Sequence, residues 1–282
     1  MSGTTPPGVL VLVGTPIGNL GDLSPRAIDA LRVADVIACE DTRRTGRLLV
    51  HAGVDAAGRL RAVHAHNEAE EARRLVAAVA AGQRVAYVSD AGMPAINDPG
   101  ARLVAACIDA GLAVDVVPGP DAVTTALVLS GLPTDRFGFE GFLPRKGKER
   151  RARVAAVAAA VHTVVLYESP HRVAATLADL RDACGAERPV AVLRELTKLH
   201  QDGFRGGLGA AAALAAAFPP RGEHVLVLGG APAVAPEVDD DTVRAALRDA
   251  RARGASTRDA SAEVARVLGL PKRRVYDLAT DA

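Results

Sequence analysis

Tryptophan is absent from this 282-residue chain, and aromatic residues of all kinds make up only 3% of it. Base-stacking platforms for single-stranded nucleic acid are therefore scarce. There are three cysteines, Cys39, Cys107 and Cys184, far apart and without a CxxC spacing. That excludes a disulfide framework and a zinc ribbon, and it suits a reducing compartment. An excess of charge of either sign is missing as well: 34 Lys and Arg against 33 Asp and Glu leave +1. No global field draws the chain to nucleic acid or to a membrane, so such a partner must be met by a local patch. Long apolar runs are lacking too. Each is broken by charge or proline well short of a membrane span, and MSGTTPPG at the start carries no basic segment ahead of an apolar one. The expectation is a cytoplasmic protein with no membrane segment.

What is present is alternation. Short β-branched runs at Val9–Gly14, Asp35–Cys39, Arg61–His64, Arg84–Asp90 and Ala113–Gly119 are separated by helical segments, one from Ser24 with Pro25 in its first turn and one over Asn67–Ala81. This βαβα rhythm predicts an α/β domain with a largely parallel sheet. A second set follows, with strands at His162–Pro170, Pro189–Leu196 and Glu223–Gly230 and an Ala-rich helix around Gly207–Ala217. Between the sets, Gly141–Val154 reads as an inter-domain hinge or flap. Ala231–Asp241 reads as a linker, and beyond it Thr242–Arg253, Ser256–Leu268 and Lys272–Ala279 read as short helices with a helix-turn-helix-like corner at Gly269-Leu270-Pro271. The division expected is therefore 1–119, 120–231 and a small helical module over 232–282.

The first strand runs into GTPIGNLGDLSPRA, a strand–turn–helix layout that invites a phosphate-loop reading. No lysine follows, so it is not a P-loop. Gly14, Gly18 and Gly21 space as G-x-x-x-G-x-x-G rather than G-x-G-x-x-G, and Pro16 lacks an N–H where an anion would need one. Ordinary nucleotide binding by this loop is not indicated.

Further stretches follow in order: EDTRRTGRLL from Glu40, an HNE at His66, SDAGMPAINDPG from Ser89, PGPDAVTTAL from Pro118, EGFLPRK from Glu140, YESPHR from Tyr167 and RELTK from Arg194. That series resembles the tetrapyrrole methylase superfamily of S-adenosylmethionine (SAM) enzymes. Within it, the TPIGNL, EDTR, HNE, SDAG-P-I-DPG and RELTK signatures look like the ribosomal RNA small subunit methyltransferase I family. The resemblance implies two α/β domains with a cofactor trough between them, and a homodimer. It also implies SAM-dependent methylation of the ribose 2′-oxygen of a decoding-centre cytidine in 16S rRNA of the small ribosomal subunit. The two departures are Met93, where the family usually has threonine, and Leu199–Gly207, where the loop after RELTK differs.

On that resemblance, Thr15, Pro16, Asp90, Ala91, Gly92, Met93, Asp121, Ala122, Leu166 and Tyr167 are the candidate cofactor contacts. Asp90 ends a strand where parallel sheets carry ligands, though a turn-forming role competes. Asp121 precedes a helix whose N-terminal N–H groups are open either to a carboxylate or to a cap by Asp121 itself. A ribose hydroxyl is a poor nucleophile, so a base or a cation should assist. Glu40, Asp41, Arg43, Glu168 and Glu195 are the candidates, with Asp41 also a natural helix cap. His64 and His66 share a strand face, but no third ligand has a recognisable spacing, and no metal is expected. Arg145, Lys146, Lys148 and Arg150, with Lys272 and Arg273 in the last helix, are candidate RNA phosphate contacts, although most charge runs are merely solvated. Two other readings compete: a methylase of a tetrapyrrole-like small molecule, and a non-enzymatic nucleic-acid binder using the last helices.

Overall fold

The valine-rich runs become strands and the Ala-rich segments become helices. The computed structural model describes residues 8–64, 67–217, 221–232 and 238–280. It divides into two compact units, Met1–Ala231 and Pro232–Ala282.

The first sheet holds β1 (Val9–Val13), β2 (Val36–Cys39), β3 (Leu60–Ala62), β4 (Arg84–Val88) and β5 (Ala113–Val117), in the order β3-β2-β4-β1-β5. Every pairing is parallel. The connecting helices are α1 (Pro25–Val33), α2 (Thr42–His51), α3 (Glu68–Ala80) and α4 (Ala101–Asp109). Strand alternation splits the core in two. Val11 and Val13 of β1 pack with Leu31 and Leu49 of α1 and α2, while Leu10 packs with Leu75 and Leu103 of α3 and α4. Both faces are buried, as an all-parallel sheet requires. Parallel direction also gathers the loops after β1, β2, β4 and β5 on one edge.

The chain then enters α5 (Ala122–Ser130) and a second sheet. Its elements are β6 (Phe137–Phe142), α6 (Gly147–Ala159), β7 (Thr163–Glu168), α7 (Val173–Cys184), β8 (Pro189–Arg194), β9 (Asp202–Gly207), α8 (Leu208–Ala217) and β10 (His224–Leu228). The order is β6-β7-β10-β8-β9. Only β6 and β7 are parallel; β10 runs against β7 and β8, and β9 against β8. Val165, Leu193, Val225 and Val227 face α5, and partly buried Ile17 of the first loop joins that cluster. Val164, Leu166 and Leu226 face the other way, against α6, α7 and α8.

Two sequence expectations change here, and one helix had not been expected. Gly141–Val154 is not a flap: Gly141 and Phe142 finish β6, and α6 begins at Gly147. Gly141 has φ +62 and the β6 register shifts around it, which hides the strand's period from a pattern reading. The segment after RELTK is not all loop, because Asp202–Gly207 forms edge strand β9. The helix over 101–109 has Gly100 at its N-terminus in place of a side-chain cap, so no start signal announces it.

In the second unit, α9 (Asp240–Ala252), α10 (Thr257–Leu268) and α11 (Lys272–Thr280) enclose a core of their own around Val243, Leu247, Val264 and Val275. Asp239 caps α9 and Ser256 caps α10, and Gly269 ends α10 in the left-handed region. The acidic residues Asp240 and Asp241 thus belong to a helix start rather than to a linker; residues 233–237 lie outside the described residues.

Candidate active site

Three loops on the carboxyl edge of the first sheet, those after β1, β4 and β5, are tied together by backbone. Gly14 N–H donates to the Val117 carbonyl at 3.0 Å, and Thr15 and Gly92 exchange N–H···O bonds at 2.9 and 3.1 Å. The Thr15 hydroxyl reaches the Ser89 carbonyl at 3.3 Å. Gly14 lies directly against Gly119: a Cβ on Gly14 would stand 2.6 Å from the Gly119 nitrogen. Gly14, Thr15 and Asn19 of the opening loop therefore spend their N–H groups on protein partners.

These loops form one wall of a cavity of about 310 Å³. Ile17, Ala91, Gly92, Met93 and Asp98 come from the first half of the unit. Asp121 and Ala122 at the start of α5, Tyr167 and Glu168 of β7, Leu196, Glu223 and His224 come from the second. Six of the ten expected cofactor contacts are therefore brought together: Ala91, Gly92, Met93, Asp121, Ala122 and Tyr167. Thr15, Pro16 and Asp90 line a neighbouring cavity of about 200 Å³ instead, together with Arg44, Arg47 and Leu48 of α2. Leu166 is fully buried on the opposite face of β7, because side chains alternate along a strand.

Asp121 is a cap. Its Oδ1 accepts from Val123 and Thr124 N–H at 2.8 and 3.0 Å. Two of the N–H groups at the α5 N-terminus are thus already satisfied by the side chain of Asp121. Tyr167 makes edge contacts with Phe139 and Phe142 at centroid separations of 4.8 and 5.7 Å. Burial, with smaller help from Asp121 and Asp98, pushes its phenol up to about 12.

The expected acid–base residues divide by how their oxygens are used. Glu168 is 2% exposed. One of its oxygens accepts from Ser169 N–H at 2.8 Å, the other from the Thr176 hydroxyl at 2.6 Å, and Arg172 lies 3.4 Å away. Glu195 has φ +51 and accepts from Lys198 Nζ and Glu223 N–H, both at 2.9 Å. The Glu223 N–H, with Lys198, holds its carboxyl below the usual range. Asp41 caps α2 through Arg43 N–H at 2.8 Å, and its carboxylate also meets the Arg43 guanidinium at 3.3 Å. Those Arg43 bonds lower its pKa. Asp90 accepts from Asp41 N–H at 3.1 Å and pairs with Arg44 at 3.4 Å. Glu40, by contrast, is pushed up by burial and then by Asp90. Asp98 rises to about 6 through burial and then through Glu40 and Asp90. Pattern reading singled out neither Asp98 nor the Glu223-His224 pair. Asp98 sits inside the quoted SDAGMPAINDPG, where only its neighbours in space set it apart. Glu223 and His224 reach the cavity because β10 is antiparallel to β7 and β8, a direction that a pattern does not carry.

Arg145, Lys146 and Lys148 are exposed at and before the start of α6. Arg150 is not free for RNA: its side chain is 11% exposed and holds Asp179 at 2.7 Å, Thr176 at 3.0 Å and the Pro144 carbonyl at 3.0 Å. Lys272 and Arg273 are exposed on α11. His66 lies outside the described residues, and Asn67 holds His64 N–H at 2.8 Å and the Ala62 carbonyl at 3.0 Å. Among the described residues no group of three His, Cys, Asp or Glu side chains is placed to hold a metal, and no helix is long and apolar enough to cross a membrane.

Two sheets with a cavity where their edges meet define the class. Residues 9–212 match the Tetrapyrrole (Corrin/Porphyrin) Methylases. Cobalt precorrin-4 methyltransferase has the same fold, with a TM-score of 0.60 at 16% identity over 78% of this chain and 94% of that one. So has uroporphyrin-III C-methyl transferase from Thermus thermophilus complexed with S-adenyl homocysteine, at 0.56 and 21% over 79% and 97%. Residues 237–282 match the RsmI C-terminal HTH domain. Ribosomal RNA small subunit methyltransferase I of Synechocystis sp. is 45% identical over 97% of this chain and 98% of its own length. That of Mycobacterium tuberculosis is 46% identical over 96% and 94%. The chain belongs to the ribosomal RNA small subunit methyltransferase I family.

Proposed function

We propose that this protein is a SAM-dependent methyltransferase that methylates the ribose 2′-oxygen of a decoding-centre cytidine in 16S rRNA. The observation that carries this reading is the pair of adjoining cavities. One is apolar-walled, at Ile17, Met93, Leu196 and Val225, and has an aromatic ring and carboxylates; its size of about 310 Å³ is in the range that buries a cofactor. The other carries Arg44 and Arg47 beside Thr15 and Asp90, a cationic mouth suited to a phosphodiester. When bound, SAM supplies a methyl group on a sulfonium, open to in-line displacement. Ala91, Gly92, Met93, Ala122 and Tyr167 would hold it, and positioning the hydroxyl behind that methyl is much of the catalysis. Arg145, Lys146, Lys148, Lys272 and Arg273 would add phosphate contacts. The proposed division is 1–119, 120–231 and 232–282, in a cytoplasmic homodimer.

The test is transfer of labelled methyl from SAM to small ribosomal subunits lacking the modification, beside naked 16S RNA, with the label mapped. Label on the ribose of one decoding-centre cytidine is expected. SAM binding without label on either acceptor would overturn the reading and favour a small-molecule acceptor such as a tetrapyrrole.

A further inference from the structure

A third cavity, of about 560 Å³, lies in the second half of the first unit and has no part in the roles given so far. It is built on a row of side chains that crosses the second sheet. Glu168 of β7 is paired in register with His224 of β10, His224 with Arg194 of β8, and Arg194 with Asp202 of β9. Register partners share a face of a sheet, so these four form one polar row at the strand ends. The next row on that face is apolar: Leu166, Leu226, Val192 and Phe204. Glu168 and His224 line the cofactor-sized cavity, whereas His224, Arg194 and Asp202 line the third.

Two cations of this cavity have donors to spare. Arg221 is exposed and makes no hydrogen bond or ion pair among the described residues. Arg194 meets Asp202 at 3.6 Å, too long for a hydrogen bond, so its side-chain N–H groups are unspent among the described residues. Two arginines against one carboxylate leave the cavity with excess positive charge. Phe204 and Leu214 supply an apolar wall. Gly206 gives the Phe204 ring its room: a Cβ there would stand 2.7 Å from the ring carbon Cζ. His224 Nδ1 lies 3.0 Å from the Gly222 carbonyl, which only accepts, so Nδ1 carries the proton and Nε2 is an acceptor. Burial lowers the pKa of the ring, which favours that neutral form.

We infer that this groove takes up an unpaired nucleotide of the RNA acceptor, other than the one that is methylated. Its phosphate lies between Arg194 and Arg221, and its base lies on Phe204 and Leu214. A phosphate matches the planar donor forks of two guanidinium groups. A base has flat apolar faces that stack on an aromatic ring, and its amino groups are donors for His224 Nε2. The inference rests on the rRNA reading above. An RNA strand fits better than a free nucleotide because the groove opens on the same edge of the sheet as the cofactor-sized cavity and shares His224 with it.

The experiment compares the full chain with Arg221→Ala and Phe204→Leu. Binding of unmodified small subunits is measured by filter binding over a range of salt, a readout that needs no methyl transfer. Arg221→Ala should weaken binding by about 10-fold and lower the slope of log affinity against log salt by about one. Phe204→Leu should weaken it by about 10-fold with the slope unchanged. Affinity for S-adenosylhomocysteine, measured by calorimetry, should stay at the wild-type value in both. In methyl transfer, KM for subunits should rise more than kcat falls. Arg221 is exposed, so its arm stands even if Phe204→Leu does not fold. Wild-type subunit affinity and salt slope in Arg221→Ala would overturn the inference, as would a loss that follows a loss of cofactor affinity. Adenosine and uridine 5′-monophosphates separate the sources: binding of either that is lost in Arg221→Ala while subunit binding is unchanged would make this a free-nucleotide site and overturn the RNA assignment. Groove-dependent subunit binding without label from the wild-type protein would remove the ribose-methylation reading and keep the groove. Label from the wild-type protein, with undiminished subunit binding in both variants, would remove the groove alone.

Discussion

The backbone N–H of Asn19 donates to the hydroxyl of Thr197 at 3.1 Å, across a separation of 178 residues. Asn19 belongs to the loop after β1, and Thr197 to the segment after β8. Thr197 has φ +63, and Gly18 beside Asn19 leaves no room for a Cβ against Lys198 and Thr197. The two halves of the first unit therefore touch at the rim of the cavity, through a backbone shape that only a glycine and a strained turn allow.

Thr197→Val removes the acceptor but keeps the shape. The Asn19 N–H is exposed and can turn to water, so the cost in stability should be no more than about 1 kcal/mol. Affinity for SAM should weaken more visibly, because the link spans the cavity. Calorimetric binding beside a thermal melt tests this, and unchanged affinity would show that the contact is incidental.

Gly14→Ala and Gly46→Ala should act in opposite directions. At Gly14 the new methyl meets Gly119 backbone, which cannot yield, and a loss of about 1–3 kcal/mol or more is expected. At Gly46, inside α2, nothing lies within 4 Å of the new Cβ. There the change should stabilise by roughly 0.5–1 kcal/mol through helix propensity. Urea denaturation of both variants distinguishes close approach from generic glycine loss.

Glu168→Ala should behave as a structural variant. It strips Thr176 and Arg172 of a buried acceptor, at a cost of about 1–3 kcal/mol or more. Loss of activity should track loss of folded protein, and an active-site effect at full stability would contradict this account.

Asp98 carries a stability signature with a definite sign. Its folded pKa of about 6 lies above the ordinary aspartate value of 3.8. The folded state therefore holds the proton more tightly, and stability falls as pH rises through that window. Asp98→Asn should be more stable than wild type above pH 7, by an amount on the order of 2 kcal/mol, with the difference vanishing near pH 3. Denaturation curves across pH check it; equal stability at all pH values would show that the carboxyl is not perturbed.

The basic residues at and before the start of α6 should separate into two kinds. Arg145→Ala with Lys148→Ala should weaken RNA binding and flatten its salt dependence without moving the melting temperature. Arg150→Ala should lower the melting temperature instead, since Arg150 holds Asp179, Thr176 and Pro144. Filter binding at two salt concentrations, beside a melt of each variant, tells them apart.

The middle of the first sheet was readable from the chain because β1 and β4 are buried on both faces, so each shows as a nearly unbroken apolar run, VLVLV and RVAYV. The Pro25 and Ser256 helix starts were readable because capping chemistry is local. Strands β6 and β9 were not: both are glycine-rich edges whose pairing comes from distant neighbours. The ordered motifs by themselves determined the family and the set of loops around the cavity. They did not determine how those loops divide the work. Only tertiary structure put Asp90 in the cationic mouth and Asp98 in the larger cavity, committed Glu168 and Arg150 to internal bonds, and turned Leu166 away. The reason is physical: residue type and spacing are properties of the chain, whereas hydrogen-bond partners, burial and the field of nearby charges are set by groups far away in sequence.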